Sequence, residues 1–181
     1  MSNKKLLGFL LLLIIIVAFV FWKETNSVER NFKKDIISIN TESIEKILIY
    51  PKSYKPEIIE LIKNDTLWFI NRKDSGMVEA NQNLLNGILE LLNFTAERPA
   101  ATTKESWENY LVDENSATKV EVVENNTNNT VFYVGKFSYN QETNAVTSYI
   151  RIPNDDNTYA IDGQHSLIFD QNTSGFIKQE D

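Results

Sequence analysis

The sequence predicts an α+β domain with a largely antiparallel sheet, one main amphipathic helix and a short second helix packed on it, preceded by one transmembrane helix. Three observations predict this fold class. A charge-free apolar run lies near the N-terminus, β-rich runs are grouped before and after a helical region, and that region carries a single apolar stripe. Because strands are grouped rather than alternating with helices, an antiparallel sheet is favoured over a parallel one.

The apolar run at residues 6–22, from Leu6 to Trp22, is the predicted membrane anchor, and it contains no charged residue. As a helix rising about 1.5 Å per residue it covers roughly 25 Å, near the short end for a bilayer span. A cleaved signal peptide usually has an apolar core of only about 7–15 residues followed by small residues. Here bulky residues end the run, and Trp22 suits the lipid–water interface. The sequence therefore predicts an uncleaved anchor that contacts membrane lipid.

The charge distribution indicates orientation and compartment. Lys4 and Lys5 favour a cytoplasmic tail of residues 1–5, although basic residues also follow the anchor. All 25 acidic residues but only 16 of the 18 basic residues follow Trp22, so the remaining chain carries a formal net charge of −9, which disfavours binding to nucleic acid. The chain has no cysteine, whereas a small eukaryotic ectodomain would usually contain disulfides, so a bacterial cell envelope is favoured. We expect the bacterial inner (cytoplasmic) membrane, with the domain on its periplasmic or extracytoplasmic side.

Beyond the anchor, the predicted layout is a charged stalk at residues 23–35, a soluble α+β domain at 36–170 and a polar C-terminal tail at 171–181. The domain begins with three β-rich runs at 44–50, 57–63 and 66–71, which predict a meander of three strands. In the third run Trp68 and Ile70 share one face, while Leu67 and Phe69 share the other.

Residues 83–94 change to helical periodicity and predict the main helix, with Asn81 as its N-cap. Its apolar stripe consists of Leu84, Leu85, Ile88, Leu89, Leu91 and Leu92. Gly87 lies inside this helix, where glycine costs about 1 kcal/mol relative to alanine, so we expect close packing on the sheet at that point. A short helix is predicted at 105–111, with Trp107 and Tyr110 on one side.

Four further strands are predicted at residues 118–123, 131–134, 146–152 and 158–161. Gly135 is expected to end the second of these strands, and Gly163 to lie in a turn; both are interpreted as glycines required by backbone conformation. In the third strand Tyr149 and Arg151 point away from Ile150 and its apolar neighbours, towards solvent. Tyr and Arg are favoured at binding hot spots, so Tyr149 and Arg151 are candidate partner contacts. Pairing of Arg151 with a surface carboxylate is the alternative.

No catalytic, cofactor-binding or metal-ligating residues are predicted. His165, the single histidine, lies in a predicted turn without an identifiable acid or base partner, so a solvated loop residue is expected. Asp155, Asp156 and Asp162 could hold a weak calcium ion, but their spacing does not match an EF-hand, and turn residues are the simpler interpretation. Trp68 and Trp107 could form a sugar-binding platform, although both are expected in the core.

Taken in order, several segments resemble the bacterial family called domain of unknown function 4340. The segments are Ile44-Glu45-Lys46-Ile47, Leu67-Trp68-Phe69-Ile70, Ala80 ahead of Leu84-Leu85 and Leu89, Trp107 with Tyr110, Thr118-Lys119-Val120-Glu121-Val122, Val134-Gly135-Lys136, Tyr149-Ile150-Arg151 and Tyr159-Ala160-Ile161-Asp162-Gly163. The resemblance implies one N-terminal membrane segment and, for some members, genes beside gliding-motility-type ABC transporters. It implies no established activity.

The sequence therefore predicts a non-catalytic accessory or scaffold protein of the cell envelope that works by protein–protein contact. The partner is expected to be a membrane protein, and the resemblance implies an ABC-transporter-like complex. Two alternatives remain. One is an envelope module that binds a sugar or peptide, and the other is a hydrolase built on Asp155, Asp156 and Asp162.

Overall fold

The structure is a computed structural model that describes residues 34–72, 76–96, 98–125 and 128–179. The predicted anchor, the cytoplasmic tail and nearly all of the predicted stalk lie outside these residues. Within the described ranges, no helix combines the length and apolar character needed to cross a bilayer.

The strands in the described part of the chain are β1 (Lys34–Ile37), β2 (Ile44–Tyr50), β3 (Ile59–Asn64), β4 (Leu67–Arg72), β5 (Gly76–Glu79), β6 (Phe94–Ala96), β7 (Pro99–Ala101), β8 (Thr118–Glu124), β9 (Asn128–Asn140), β10 (Ala145–Arg151) and β11 (Thr158–Asp162). Nine of them form one antiparallel sheet in the order β5-β4-β3-β2-β8-β9-β10-β11-β7, and β1 pairs with β6 in a separate two-stranded sheet. This confirms the predicted α+β class with a mostly antiparallel sheet and few, short helices.

The predicted meander is present as β2, β3 and β4, and β5 extends it by a strand that the sequence did not indicate. Trp68 and Ile70 are buried together on one face of β4, as their alternation predicted, whereas Leu67 is exposed. The stalk prediction is wrong at its end, because β1 begins at Lys34 and pairs with β6. Ile37 in β1 is buried, which supplies the apolar contact that holds this strand in place.

The main helix, α1 (Gln82–Glu90), begins as predicted, with the Asn81 side chain accepting a hydrogen bond from the Leu84 N–H at 3.1 Å. Its buried residues are Leu85 and Ile88, the centre of the predicted stripe. The predicted end at residue 94 is wrong, since Phe94 opens strand β6. The expected close packing at Gly87 is also wrong, because a side-chain methyl at that position would meet no atom within 4 Å.

Three shorter helices follow: α2 (Trp107–Tyr110), α3 (His165–Phe169) and α4 (Thr173–Phe176). The last two correct the sequence interpretation, which placed His165 in a solvated turn and residues 171–181 in a polar tail. Phe169 and Phe176 are fully buried, and the N–H of Asn81 donates to the Phe176 carbonyl at 2.8 Å. Single apolar residues therefore fix this polar segment against the domain.

One face of the sheet carries the hydrophobic core, in which the buried stripe of α1 and the buried residues of α3 and α4 take part. The Phe132 ring on β9 makes edge-to-face contacts with Phe94 and Phe169, with centroids 5.0 and 5.7 Å apart. The buried Val112 and Ala117, which follow α2, are not part of this cluster. Helix α2 instead packs on the opposite face, which is the face that carries the candidate site.

Candidate functional site

A row of alternating aromatic and cationic side chains crosses the sheet on the face opposite the core. Tyr50 on β2 pairs with Lys119 on β8, Lys119 pairs with Tyr133 on β9, and Tyr133 pairs with Arg151 on β10. Because directly opposed residues of antiparallel strands project to the same face, these four side chains are neighbours in one line. We call Tyr50, Lys119, Tyr133 and Arg151 the cation–aromatic row.

Arg151, at one end of the row, is only 3% exposed. Its guanidinium carbon lies 4.1 Å from the centre of the Trp107 ring and 4.0 Å from that of Tyr133. Nε donates to the Val112 carbonyl at 2.9 Å, whereas the buried Nη2 has no hydrogen-bond partner. Cation–π contacts with two aromatic faces thus stabilise a buried charge for which the described residues show no ion pair.

The prediction for Tyr149 and Arg151 is correct in the face but wrong in the exposure of Arg151. Trp107 covers the guanidinium, which the sequence placed in solvent or beside a carboxylate. Tyr149 is half-buried against Tyr110, with ring centroids 4.6 Å apart, and Lys136 Nζ lies 5.9 Å from the Tyr149 ring. Whether Tyr149 contacts a partner stays a prediction.

Helix α2 places Trp107 and Tyr110 over Arg151 and Tyr149, and a close backbone contact fixes its position. A side-chain methyl at Gly135 would lie 2.2 Å from the Tyr110 carbonyl oxygen and 2.7 Å from Val112 Cγ1. Gly135 therefore lies inside β9 and is required by close approach, which corrects the expectation that it ends a strand for conformational reasons. Gly163, with φ of 112°, is the conformational glycine that the sequence predicted.

At the other end of the row, Lys119 connects Tyr50 to Glu121. Lys119 Nζ lies 5.1 Å from the centre of the Tyr50 ring and 2.5 Å from Glu121 Oε1. The hydrogen bond to Glu121 raises the pKa of Lys119. Burial opposes ionisation of Glu121, but the hydrogen bond and charge of Lys119 outweigh it and lower the pKa of this carboxyl. Burial, followed by the Glu121 charge, raises the pKa of Tyr50, so the phenol stays protonated at neutral pH.

Both tyrosines of the row line a cavity of about 470 Å³, which we call the tyrosine slot. Its lining residues are Tyr50, Lys55, Pro56, Glu57, Ile58, Glu114, Ala117, Lys119 and Tyr133. A second cavity of about 560 Å³ also has Tyr50, Pro56, Glu57 and Ile58 in its lining, and extends to Glu60, Asn71 and Arg72. Tyr50 and the segment after Lys55 therefore border both cavities.

The other candidates from the sequence lie elsewhere. Asp155 accepts hydrogen bonds from the Tyr159 hydroxyl at 2.7 Å and the Asn157 N–H at 2.9 Å, and Asp156 lies 3.5 Å from Lys104 Nζ. Asp162 ends β11. Among the residues described, no three His, Cys, Asp or Glu side chains are grouped as a metal site would require.

The single histidine and Trp107 differ from their predicted settings, whereas Trp68 does not. His165 is 4% exposed, its ring lies 5.2 Å from that of Phe94, and burial lowers its pKa. Trp68 belongs to the core, as predicted, but Trp107 lies on the opposite face of the sheet over Arg151. A platform formed by Trp68 and Trp107 together is therefore excluded, because the sheet separates them.

The sequence pattern does not group Tyr50, Lys119 and Tyr133. Each is an ordinary outward-facing residue of an alternating strand, and only the strand order and register bring them together.

No protein-family model matches this chain, and searches of curated proteins and of solved structures also find no significant match.

Proposed function

We propose that this chain is a non-catalytic accessory protein of the bacterial cell envelope, held in the cytoplasmic membrane by the anchor at residues 6–22. Its domain lies on the extracytoplasmic side and acts by contact with a membrane protein. One observation carries this proposal. The hairpin formed by β9 and β10 exposes large aromatic side chains beside an exposed residue of α3.

Three exposed residues, Phe137, Tyr139 and Leu167, and the half-buried Val146 form a surface that we call the hairpin patch. Phe137, Tyr139 and Leu167 are 44%, 53% and 48% exposed, respectively. Tyr139 pairs with Val146 across the hairpin, so the two side chains share one face.

The position of helix α3 brings Leu167 to the same region. Phe137 pairs with Ser148, and the Ser148 hydroxyl accepts a hydrogen bond at 3.3 Å from the N–H of Ser166, the residue before Leu167. The pairing of β9 with β8 extends only to Val134, so none of the described strands lies beside the following part of the hairpin on that side. Clustered exposed apolar side chains are typical of protein contact sites, where aromatic residues are enriched.

The partner proposed is a membrane protein, because the anchor would confine the domain to the membrane surface. An ABC-transporter-like complex is the partner class implied by the family resemblance. Tyr149, which the sequence predicts as a partner contact, lies on the same hairpin but on its other face. It is next to Ser138, whose hydroxyl is 3.5 Å from the Tyr149 hydroxyl. A partner that binds both faces of the hairpin would contact Tyr149 as well.

Site-specific photocrosslinking tests the contact proposal on the full-length chain in its native membrane. The photoreactive amino acid p-benzoylphenylalanine replaces Tyr139 in one variant and Met77 in the control, which is similarly exposed at 50% but lies on β5, the opposite edge of the sheet. We expect a discrete crosslinked membrane protein from position 139 alone. Crosslinks of equal yield at both positions, or none at position 139, would refute the hairpin patch as the contact site.

A reporter fusion tests the topology separately. An enzyme that is active only outside the cytoplasm, fused after Asp181, should be active, and the intact chain should stay in the membrane fraction. Activity of a cytoplasm-only reporter at the same position would reverse the orientation. A mature N-terminus beginning after Trp22 would replace the anchor with a cleaved signal peptide.

A further inference from the structure

We propose that the tyrosine slot is a binding site for one ring of a neutral saccharide. This inference goes beyond protein contact, because the slot lies on the other face of the sheet from the hairpin patch. It rests on the spacing of Tyr50 and Tyr133, on the way Tyr133 is supported, and on the charges of the residues that line the cavity.

The spacing of the two tyrosines fits a ring-shaped ligand. They lie on β2 and β9 with only β8 between them, which places their backbones about 10 Å apart at two strand spacings. A ring stacked on an aromatic side chain needs about 3.5–4 Å of separation. The cavity of about 470 Å³ that both tyrosines and Lys119 line has room for one pyranose ring.

Tyr133 is held in place before any ligand arrives. Its ring stacks on the Arg151 guanidinium, which stacks in turn on Trp107, and Trp107 Nε1 donates to the Asp156 carbonyl at 2.9 Å. An ordered aromatic wall loses little conformational entropy on binding, so its contact energy goes into affinity. The same stack gives the buried, unpaired Arg151 a function, because it fixes the wall of the slot.

The polar groups around the slot match hydroxyl groups better than a charged ligand. Lys55, Glu57 and Glu114 line the slot beside Lys119, whose charge is paired with Glu121 at 2.5 Å, so the slot presents both signs of charge without an excess of positive charge. A hydroxyl group both donates and accepts hydrogen bonds, and can therefore use lysines and carboxylates alike. The partly positive C–H groups of a sugar face also suit the negative face of an aromatic ring.

Saturation-transfer difference NMR tests the proposal on the full-length chain, purified in a phosphocholine detergent so that no sugar head group competes. The neutral probes are maltotriose and the trisaccharide of N-acetylglucosamine. The charged probes are the trimers of galacturonic acid and glucosamine, and the peptide Gly-Phe-Gly represents an aromatic peptide ligand. We expect saturation transfer to the ring protons of at least one neutral sugar, and weaker transfer to both charged trimers.

Three variants locate the binding. Tyr50→Ala and Tyr133→Ala should each reduce the affinity for the neutral sugar about tenfold, the factor that roughly 1.4 kcal/mol of ring contact represents. Tyr139→Ala, which removes an exposed tyrosine from the hairpin patch, should leave the affinity unchanged. Because Tyr133 also covers Arg151, Tyr50→Ala decides the outcome if Tyr133→Ala lowers the melting temperature.

Several outcomes would overturn the saccharide site. These are no transfer to either neutral sugar, stronger transfer to a charged trimer, transfer to the peptide alone, or neutral-sugar binding that survives Tyr50→Ala. The photocrosslinking experiment is independent of all of them, since it probes position 139.

Discussion

The contact between β9 and the end of α2 provides a sharp test of how the second face of the sheet is assembled. The perturbation is Gly135→Ala, which adds one methyl group. That methyl would lie 2.2 Å from the Tyr110 carbonyl oxygen, 2.7 Å from Val112 Cγ1 and 2.9 Å from the Leu111 carbonyl oxygen. Two of the three obstacles are backbone atoms, so a change of side-chain rotamer cannot relieve the clash.

The expected loss of stability follows from this geometry. Inserting a methyl group into a packed site typically costs about 1–3 kcal/mol, and the upper end applies here because a backbone segment must move. A domain of this size loses about 2–4 °C of melting temperature per kcal/mol. The variant should therefore melt roughly 6–12 °C below the wild type. Movement of α2 would also separate Trp107 from Arg151, which leaves a buried guanidinium without its ring contact.

The assay is differential scanning fluorimetry of the full-length protein in detergent, and Gly87→Ala is the matched control. A methyl at Gly87 meets no atom within 4 Å, and the position lies inside α1. Alanine there should raise the stability by about 0.5–1 kcal/mol, through better helix propensity. If Gly135→Ala melts within about 2 °C of the wild type, α2 does not pack on β9 as described, and the support for Arg151 fails with it.

Four further changes test the core, the buried histidine, the covered arginine and the predicted partner contact of Tyr149. Leu85→Asp places an unpaired carboxylate at a fully buried position, which costs several kcal/mol and should abolish the thermal transition. The control Asn86→Asp changes an exposed neighbour and should leave the transition unchanged. An unchanged transition in Leu85→Asp would mean that the core is misplaced. Burial lowers the pKa of His165 in the folded protein, so on acidification the histidine is protonated in the unfolded chain before it is protonated in the folded one. The free energy of unfolding should therefore fall as the pH drops from 6.5 towards the lower pKa of the folded state. His165→Phe should make the melting temperature less dependent on pH between about pH 6.5 and 5, which lies above the range in which carboxylates titrate. An unchanged slope of melting temperature against pH would contradict this. Arg151→Ala should lower the stability by about 2–5 kcal/mol, because it leaves a cavity between two rings. The Tyr149→Ala variant should fold normally. If Tyr149 contacts the partner, the variant should fail to capture the partner in a pull-down from membranes; retained capture would show that Tyr149 is not part of the contact surface.

The fold was predictable where one face of an element is apolar. Strand β2 and the start of α1 lie where the periodicity placed them, because burying one face fixes both register and phase. Prediction failed for short segments that tertiary contacts hold in place. Phe94 was predicted to end the helical run at residues 83–94, yet it lies in a strand, from which its ring packs on Phe132 of β9.

The candidate site was unpredictable for a different reason. The alternation of β10 correctly placed Arg151 opposite Ile150, but alternation gives only the face and not what covers it. The cover comes from Trp107, 44 residues earlier in the sequence, and its position depends on a contact at Gly135 that leaves no sequence pattern. An arginine that looked like a solvent-facing hot spot is therefore a buried support for Tyr133. Because Arg151 is covered, the surface of the row that a ligand can reach is the tyrosine slot. There the rings of Tyr50 and Tyr133 and charged side chains of both signs line an open cavity.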